Sequence, residues 1–239
     1  MKPLNNLSSS DNVTSNSDDI NNWKKSQSLL NSIGMAGFDV PSDVTSFLKE
    51  NINYKNSYTK NLAGHLKEEY RYDGWPVYVE KWIMSLMDIN SNLTKMLSYN
   101  GIQVLTRDLP LCLETMWVNK QKKHEFNPFH THKGVFSFII FLQIPYDLEE
   151  EYKLFPNTSF NKPATSNLNF YAVNTLGAIQ CHTLSVDKSF ENKMIMFPAK
   201  LPHSVNPFYT SDDYRITVSG NISLSVNGSK YENKYANTD

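Results

Sequence analysis

The sequence predicts an α+β fold: an antiparallel double-sheet barrel, with helices from the N-terminal half packed on the outside of one sheet. Three observations predict it. From Leu111 onward, short strand-like runs follow one another, separated by Gly, Pro, Asn and Asp clusters and with no helical period between them. Ahead of them, near Asp73, begins one clear amphipathic helix. The last strand run then shows two faces. Arg215, Thr217, Ser219 and Asn221 share one, and Tyr214, Ile216, Val218 and Ile222 share the other. If the helix covers the apolar face, the polar face lines a cavity inside the barrel.

In chain order, residues 1–21 are mostly Asn, Ser and Asp and bury too little to offset ordering, so they predict a flexible tail. Residues 22–225 form a single domain, with mainly helical support over 22–105 and the barrel core over 106–225. Residues 226–239 are a C-terminal tail. Trp23 to Ile33 predicts a short helix. Ser42 to Glu50 predicts another, with Ser42 as its cap and Val44, Phe47 and Leu48 on one face. Asn61 to Tyr70 reads as a short helix or a turn flanking a strand. In the helix from Asp73, Pro76 sits in the first turn, where a missing N–H costs nothing. Val79, Trp82, Ile83, Leu86, Met87, Leu93 and Met96 recur at helical spacing, and Gly101 ends it.

The strand candidates are Leu111–Asn119, Val135–Ile144, Asn167–Val173, Ala178–Val186, Lys193–Phe197 and Tyr214–Leu224. Thr115, Trp117 and Asn119 alternate on the first. The stretch from Tyr146 to Ser166 reads as a surface insertion or a lid.

The bulk numbers exclude several classes. The 239 residues are 40% apolar and 20% charged, as in globular domains. A net charge of −1 gives no basic surplus for nucleic acid or a membrane surface. No segment approaches the ~20 apolar residues of a span. The N-terminus lacks the apolar core of a secretory signal, so a cytoplasmic location is expected. Cys112 and Cys181 have no CxxC partner and read as buried free thiols.

The chemistry centres on three of the six histidines. His130 and His132 stand as H-x-H before the longest apolar run, and on a strand they would present two imidazoles to one point. His203 arrives later, after a proline. Neutral imidazole suits iron, zinc, copper or nickel, and three protein ligands leave positions open for catalysis. Arg215 inside the barrel, beside the Thr217 hydroxyl, is a bidentate trap for a carboxylate. A diacid would chelate the metal at one end and meet Arg215 at the other. His65, His124 and His182 have no comparable context.

The stretches NPFHTHKGVFSFIIFLQIP and MIMFPAKLPHSVNPFYTSDDYRITVSGNI resemble the iron(II)- and 2-oxoglutarate-dependent oxygenases. They are similar in particular to the prolyl-4-hydroxylase-like group carried by tailed phages of marine bacteria. The resemblance runs from about Asn61 to Leu224. It implies a double-stranded β-helix (jelly-roll) fold. It also implies Fe(II), with 2-oxoglutarate and O2 as co-substrates, and hydroxylation coupled to decarboxylation of 2-oxoglutarate to succinate.

By that resemblance His130 and His203 are iron ligands, and His132 falls where the family usually has a carboxylate. Arg215 binds the distal carboxylate of 2-oxoglutarate, Thr217 supplies the accompanying hydroxyl, and Asn119 steadies substrate or 2-oxoglutarate. Trp117, Phe129 and Phe136 are the expected dry wall of the substrate pocket. The primary substrate is open between a peptidyl proline, another side chain, a nucleobase and a small metabolite. Two other readings remain: a cupin-like three-histidine metalloprotein without 2-oxoglutarate, and a non-enzymatic virion-associated binding protein. HTHKGVFSF lacks the acidic ligand that cupins place after H-x-H.

Overall fold

The structure is a computed structural model that describes residues 22–32, 34–89, 111–156 and 163–225. Two helices and a strand come first: α1 (Asn22–Ser32), β1 (Ala36–Asp39) and α2 (Ser42–Glu50). Then come β2 (Glu68–Arg71) and α3 (Val77–Ile89). The strands β3 (Leu111–Gln121), β4 (Asn127–His130) and β5 (Phe136–Gln143) lead to α4 (Leu148–Lys153). The chain closes with β6 (Asn167–Val173), β7 (Ile179–Ser185), β8 (Lys193–Pro198), β9 (His203–Val205) and β10 (Arg215–Leu224).

The strands form two antiparallel sheets. The larger runs β1-β8-β5-β10-β3-β2 and the smaller β4-β9-β6-β7. From β3 to β10 this is the eight-strand jelly-roll pairing: β3 and β5 flank β10 in one sheet, and β4 and β6 flank β9 in the other. The fold is a double-stranded β-helix. β1 and β2 are additions, one at each edge of the large sheet.

Why β5 reads as an unbroken apolar run is now clear: both its faces are covered. Phe136, Phe138, Ile140 and Leu142 point outward into a core shared with Val79, Ile83, Leu86 and Met87 of α3 and with Val44, Phe47 and Leu48 of α2. Ile139 and Phe141 point inward, where Ile195, Phe197, Leu168 and Phe170 meet between the sheets, with Trp23 and Leu30 of α1 at the edge. Each such buried side chain contributes about 1.5–3 kcal/mol before entropy is charged. In β10 the apolar face, Val218 and Ile222, joins the α3 core as the two-faced pattern predicted. Gly220 interrupts β10 where an added Cβ would lie 2.3 Å from the Phe138 ring, so that ring packs directly on the strand backbone.

The local expectations fare differently. Of the two readings of Asn61–Tyr70, the turn flanking a strand is the one found: a loop leads into β2, because Glu68–Arg71 pairs with Trp117–Lys120 of β3. Ser42 is the first residue of α2; Pro41 holds the cap position, with no side-chain cap. The described part of α3 ends at Ile89, and the positions assigned at Leu93, Met96 and Gly101 lie outside the described residues, as do both predicted tails. The Tyr146–Ser166 stretch opens with α4, capped by the Asp147 carboxylate accepting from the Glu149 and Glu150 N–H groups. Cys112 is buried as expected, but Cys181 is exposed on the outer edge strand β7. Among the described residues, no helix is long and apolar enough to cross a membrane.

Candidate active site

Between the sheets, beside this core, part of the interior is polar. A cavity of about 420 Å³ opens there, lined by Thr115, Trp117, Asn119 and Gln121 of β3 and by Arg215, Thr217, Ser219 and Asn221 of β10. Period-2 alternation on two paired strands puts all eight on one face. His130, His132 and His203 complete its wall.

The three histidines converge: one nitrogen from each lies within 4.8 Å of the others. His130 and His203 are register partners across the β4–β9 pair. His132 is not on the strand; β4 ends at His130, and the turn beyond brings His132 back. Its N–H donates to Ala199 O at 2.8 Å, which fixes the turn against the β8–β9 connection.

The ring nitrogens are sorted by tautomer. His130 Nδ1 is 2.6 Å from Pro128 O, and His203 Nδ1 is 3.1 Å from Leu201 O. Each Nδ1 therefore carries the proton and each Nε2 is left bare, the state a metal needs. His132 Nε2 and His203 Nε2 are 3.1 Å apart. Two nitrogens sharing an ion at ~2.1 Å sit roughly 3.0–3.4 Å apart, so this pair already has the spacing of adjacent ligands.

Burial keeps all three rings neutral. It lowers His130; it lowers His132 to about 3, helped by neighbouring His130; and it drops His203 well below the usual range, with both other rings adding to the effect. Neutral rings bind a cation without first losing a proton. The donor set therefore fits a borderline divalent metal.

Arg215 lines the cavity, 3% exposed, and all its donors are occupied. Nε donates to Gln121 Oε1 at 3.0 Å, and Nη2 donates to the same oxygen. Nη1 donates to Tyr146 Oη and Ser166 O at 3.2 Å, and Nη2 also reaches Asn206 O at 3.3 Å. Gln121 thus receives the fork that a carboxylate would receive. Thr217 lines the cavity, but its hydroxyl accepts from Asn119 Nδ2 at 3.3 Å.

Glu151, fully buried on α4, holds the segments around Arg215. It accepts from Tyr209 N at 2.9 Å, from Thr210 N and Oγ1 at 2.7 and 2.6 Å, and from Thr165 Oγ1. Burial pushes this carboxyl up, but these hydrogen bonds outweigh it and hold it below the usual carboxylate range.

The aromatic wall differs from the expected one. Trp117 is in place, its ring centred 5.5 Å from that of His132. Phe136 is not: as an even-numbered residue of β5 it faces α3. Phe129 is 64% exposed and rests on Tyr171 outside the cavity. The rings that do pack on the histidines are Phe197, 4.9 Å from His203, and Phe170, 5.8 Å from it. The sequence signal for them was the inward phase of β6 and β8. Gln121 was also missed, though it continues the Thr115–Trp117–Asn119 alternation by one step.

Residues 115–221 match the profile of the family described as "Putative 2OG-Fe(II) oxygenase". The match runs from β3 to near the end of β10, a little under half of the chain. Among solved structures, the chain is similar to a Pseudomonas putida prolyl-4-hydroxylase at 12% identity, covering 82% of this chain and 95% of that one with a TM-score of 0.46. It is also similar to a 2OG-Fe(II) oxygenase family oxidoreductase from Burkholderia pseudomallei at 12% identity, covering 83% and 88%, TM-score 0.44. A third is HygX from Streptomyces hygroscopicus with nickel and 2-oxoglutarate bound, at 10% identity, covering 84% and 87%, TM-score 0.35. No curated protein sequence matches. From the family match and the three-histidine group, the cofactors are iron(II) and 2-oxoglutarate, and the protein is an oxidoreductase.

Proposed function

We propose that the protein is a hydroxylase in which His130, His132 and His203 hold the iron and Arg215 anchors the distal carboxylate of 2-oxoglutarate. One observation carries this: three imidazoles converge in the wall of a cavity that a buried guanidinium also lines. Iron with 2-oxoglutarate would supply the oxidation at the expense of O2, one oxygen atom entering a C–H bond as hydroxyl and the other entering succinate as the 2-oxo acid loses carbon dioxide. The chain positions and excludes. Pro128 O and Leu201 O hold the Nδ1 protons of two ligands. Trp117, Phe170 and Phe197 keep water from the ligand rings. Gln121 yields the Arg215 fork when the diacid enters, and Asn119 and Thr217 flank its path. The likeness of residues 194–222 to the phage-borne, prolyl-4-hydroxylase-like sequences supports a peptidyl proline as one substrate to try.

A third imidazole in place of a carboxylate has a consequence for binding order. It leaves the ion one positive unit richer than the two-histidine, one-carboxylate arrangement. The doubly negative co-substrate then supplies the missing charge, so each of the two tightens the binding of the other by the same factor.

The test is an anaerobic titration with iron(II) and then 2-oxoglutarate, followed through the weak visible charge-transfer absorption of the chelate. One iron per chain and a saturable band are expected, and His203→Ala loses both. No iron uptake at micromolar metal overturns the reading.

A further inference from the structure

Four buried acceptor oxygens without hydrogen-bond partners border the cavity on the β2 side. They are both carboxyl oxygens of Glu69, Oδ1 of Asn119 and Oδ1 of Asn127. Glu69 is 1% exposed and stands opposite Asn119 in the β2–β3 register. The Asn119 amide nitrogen is already committed, donating to the Thr217 and Ser219 hydroxyls at 3.3 and 3.2 Å. Gly64 completes the arrangement. A Cβ there would lie 2.7 Å from both Glu69 Oε1 and Asn127 Oδ1, so the two oxygens close on the space its missing side chain leaves. Tyr58 and Trp117, ring centroids 6.4 Å apart, line the same cavity.

Buried acceptors without donors are costly, and few are tolerated per domain. Four on one wall select for a ligand that only donates: the one proton that Glu69 holds at neutral pH when the wall is empty is given up to such a ligand, and the four oxygens then all accept. They repel a carboxylate, a phosphate or a carbonyl. Burial, with Glu125 nearby, raises the Glu69 carboxyl to about 8, as expected of a group lacking its counter-ion.

We propose that this wall is the subsite for a protonated nitrogen group, an ammonium or guanidinium, of the primary substrate, with Glu69 as its counter-ion and the Asn119 and Asn127 carbonyls as further acceptors. The inference rests on the hydroxylase reading only for which molecule carries the cation. Glu69 lies on an added strand beyond the eight-strand core, so it selects substrate without contributing to the metal chemistry.

The test titrates the full chain, loaded anaerobically with iron(II) and 2-oxoglutarate, with ethylguanidinium, ethylammonium, ethylurea and propionate, reading binding by calorimetry and by proton NMR of the probe. Either cation is expected to bind at least tenfold more tightly than ethylurea, and propionate not at all. Glu69→Gln should reduce the cation preference tenfold or more. Gly64→Ala, which puts a methyl group into the cradle, should weaken cation binding as well, and it serves if the first variant folds poorly. Equal binding of ethylguanidinium and ethylurea, or cation binding indifferent to both variants, overturns the subsite. A chelate band with no cation binding sinks the subsite alone. Cation binding without a chelate band keeps the subsite and sinks the oxygenase reading.

Discussion

Replacing Gln121 with Ala separates an anchor that waits for its ligand from one that is merely structural. In the free protein, Gln121 Oε1 accepts from both Nε and Nη2 of a guanidinium that is 3% exposed. Hydrogen bonds to a charged group are worth about 1.5–3 kcal/mol net. Gln121 lines the cavity, so water replaces part of the loss, leaving about 1–2 kcal/mol of destabilisation. On the role proposed for Arg215, the same quantity opposes 2-oxoglutarate in the wild type, because the diacid would have to displace Gln121 to reach the fork. In Gln121→Ala that opposition is gone. Affinity for 2-oxoglutarate should then rise by roughly five- to thirtyfold, at 1.4 kcal/mol per factor of ten.

The assay compares wild type, Gln121→Ala and Arg215→Ala. It measures 2-oxoglutarate dissociation constants anaerobically with iron(II) present, and unfolding midpoints without ligand. The expected pattern is a less stable, tighter-binding Gln121→Ala and an Arg215→Ala that no longer binds. Unchanged or weaker binding by Gln121→Ala would show that the glutamine orients the co-substrate rather than holding its place. Retained binding by Arg215→Ala would move the anchor elsewhere.

Two further outcomes follow from the packing. Phe136→Ala should cost about 3–5 kcal/mol in denaturant unfolding while leaving the 2-oxoglutarate constant unchanged, because the ring belongs to the α3 core. A changed constant would return Phe136 to the pocket. Glu151 has its folded pKa below 4.5, so the stability it contributes is present above that value and lost as pH falls through the folded one. Glu151→Gln should lower stability at pH 7 by about 2–4 kcal/mol and flatten the acid side of the stability curve, read from urea midpoints between pH 3 and 7. An unchanged acid limb would refute its ionised role.

The grouping of the three histidines and the barrel were legible because both rest largely on short-range pattern. Period-2 alternation in β10 and β3 put seven of the eight wall residues on one face, Gln121 being the one passed over, and that face is the cavity wall. Phase was not legible in β5. With apolar residues on both faces, nothing in the run says which side meets the helix, so Phe136 was placed inside and Phe197 and Phe170 were overlooked. β4 and β9, of four and three residues, are too short to show a period. Nothing in KEEYR singles out Glu69, since its burial depends on a pairing fifty positions away in sequence. His132 reached the cluster by a turn and not by the strand geometry expected of H-x-H.

The placement of β2 bears on how such a protein can change. Arg215 and Gln121 sit on strands hemmed in by neighbours, where a one-residue slip would turn every side chain over. β2 is the terminal strand of its sheet, held on one side only. Insertions, deletions and substitutions there are absorbed without disturbing the register of the rest. Close kin that keep the histidines and the arginine should therefore diverge first at this margin, acquiring new appetites while the oxidising machinery stays as it was.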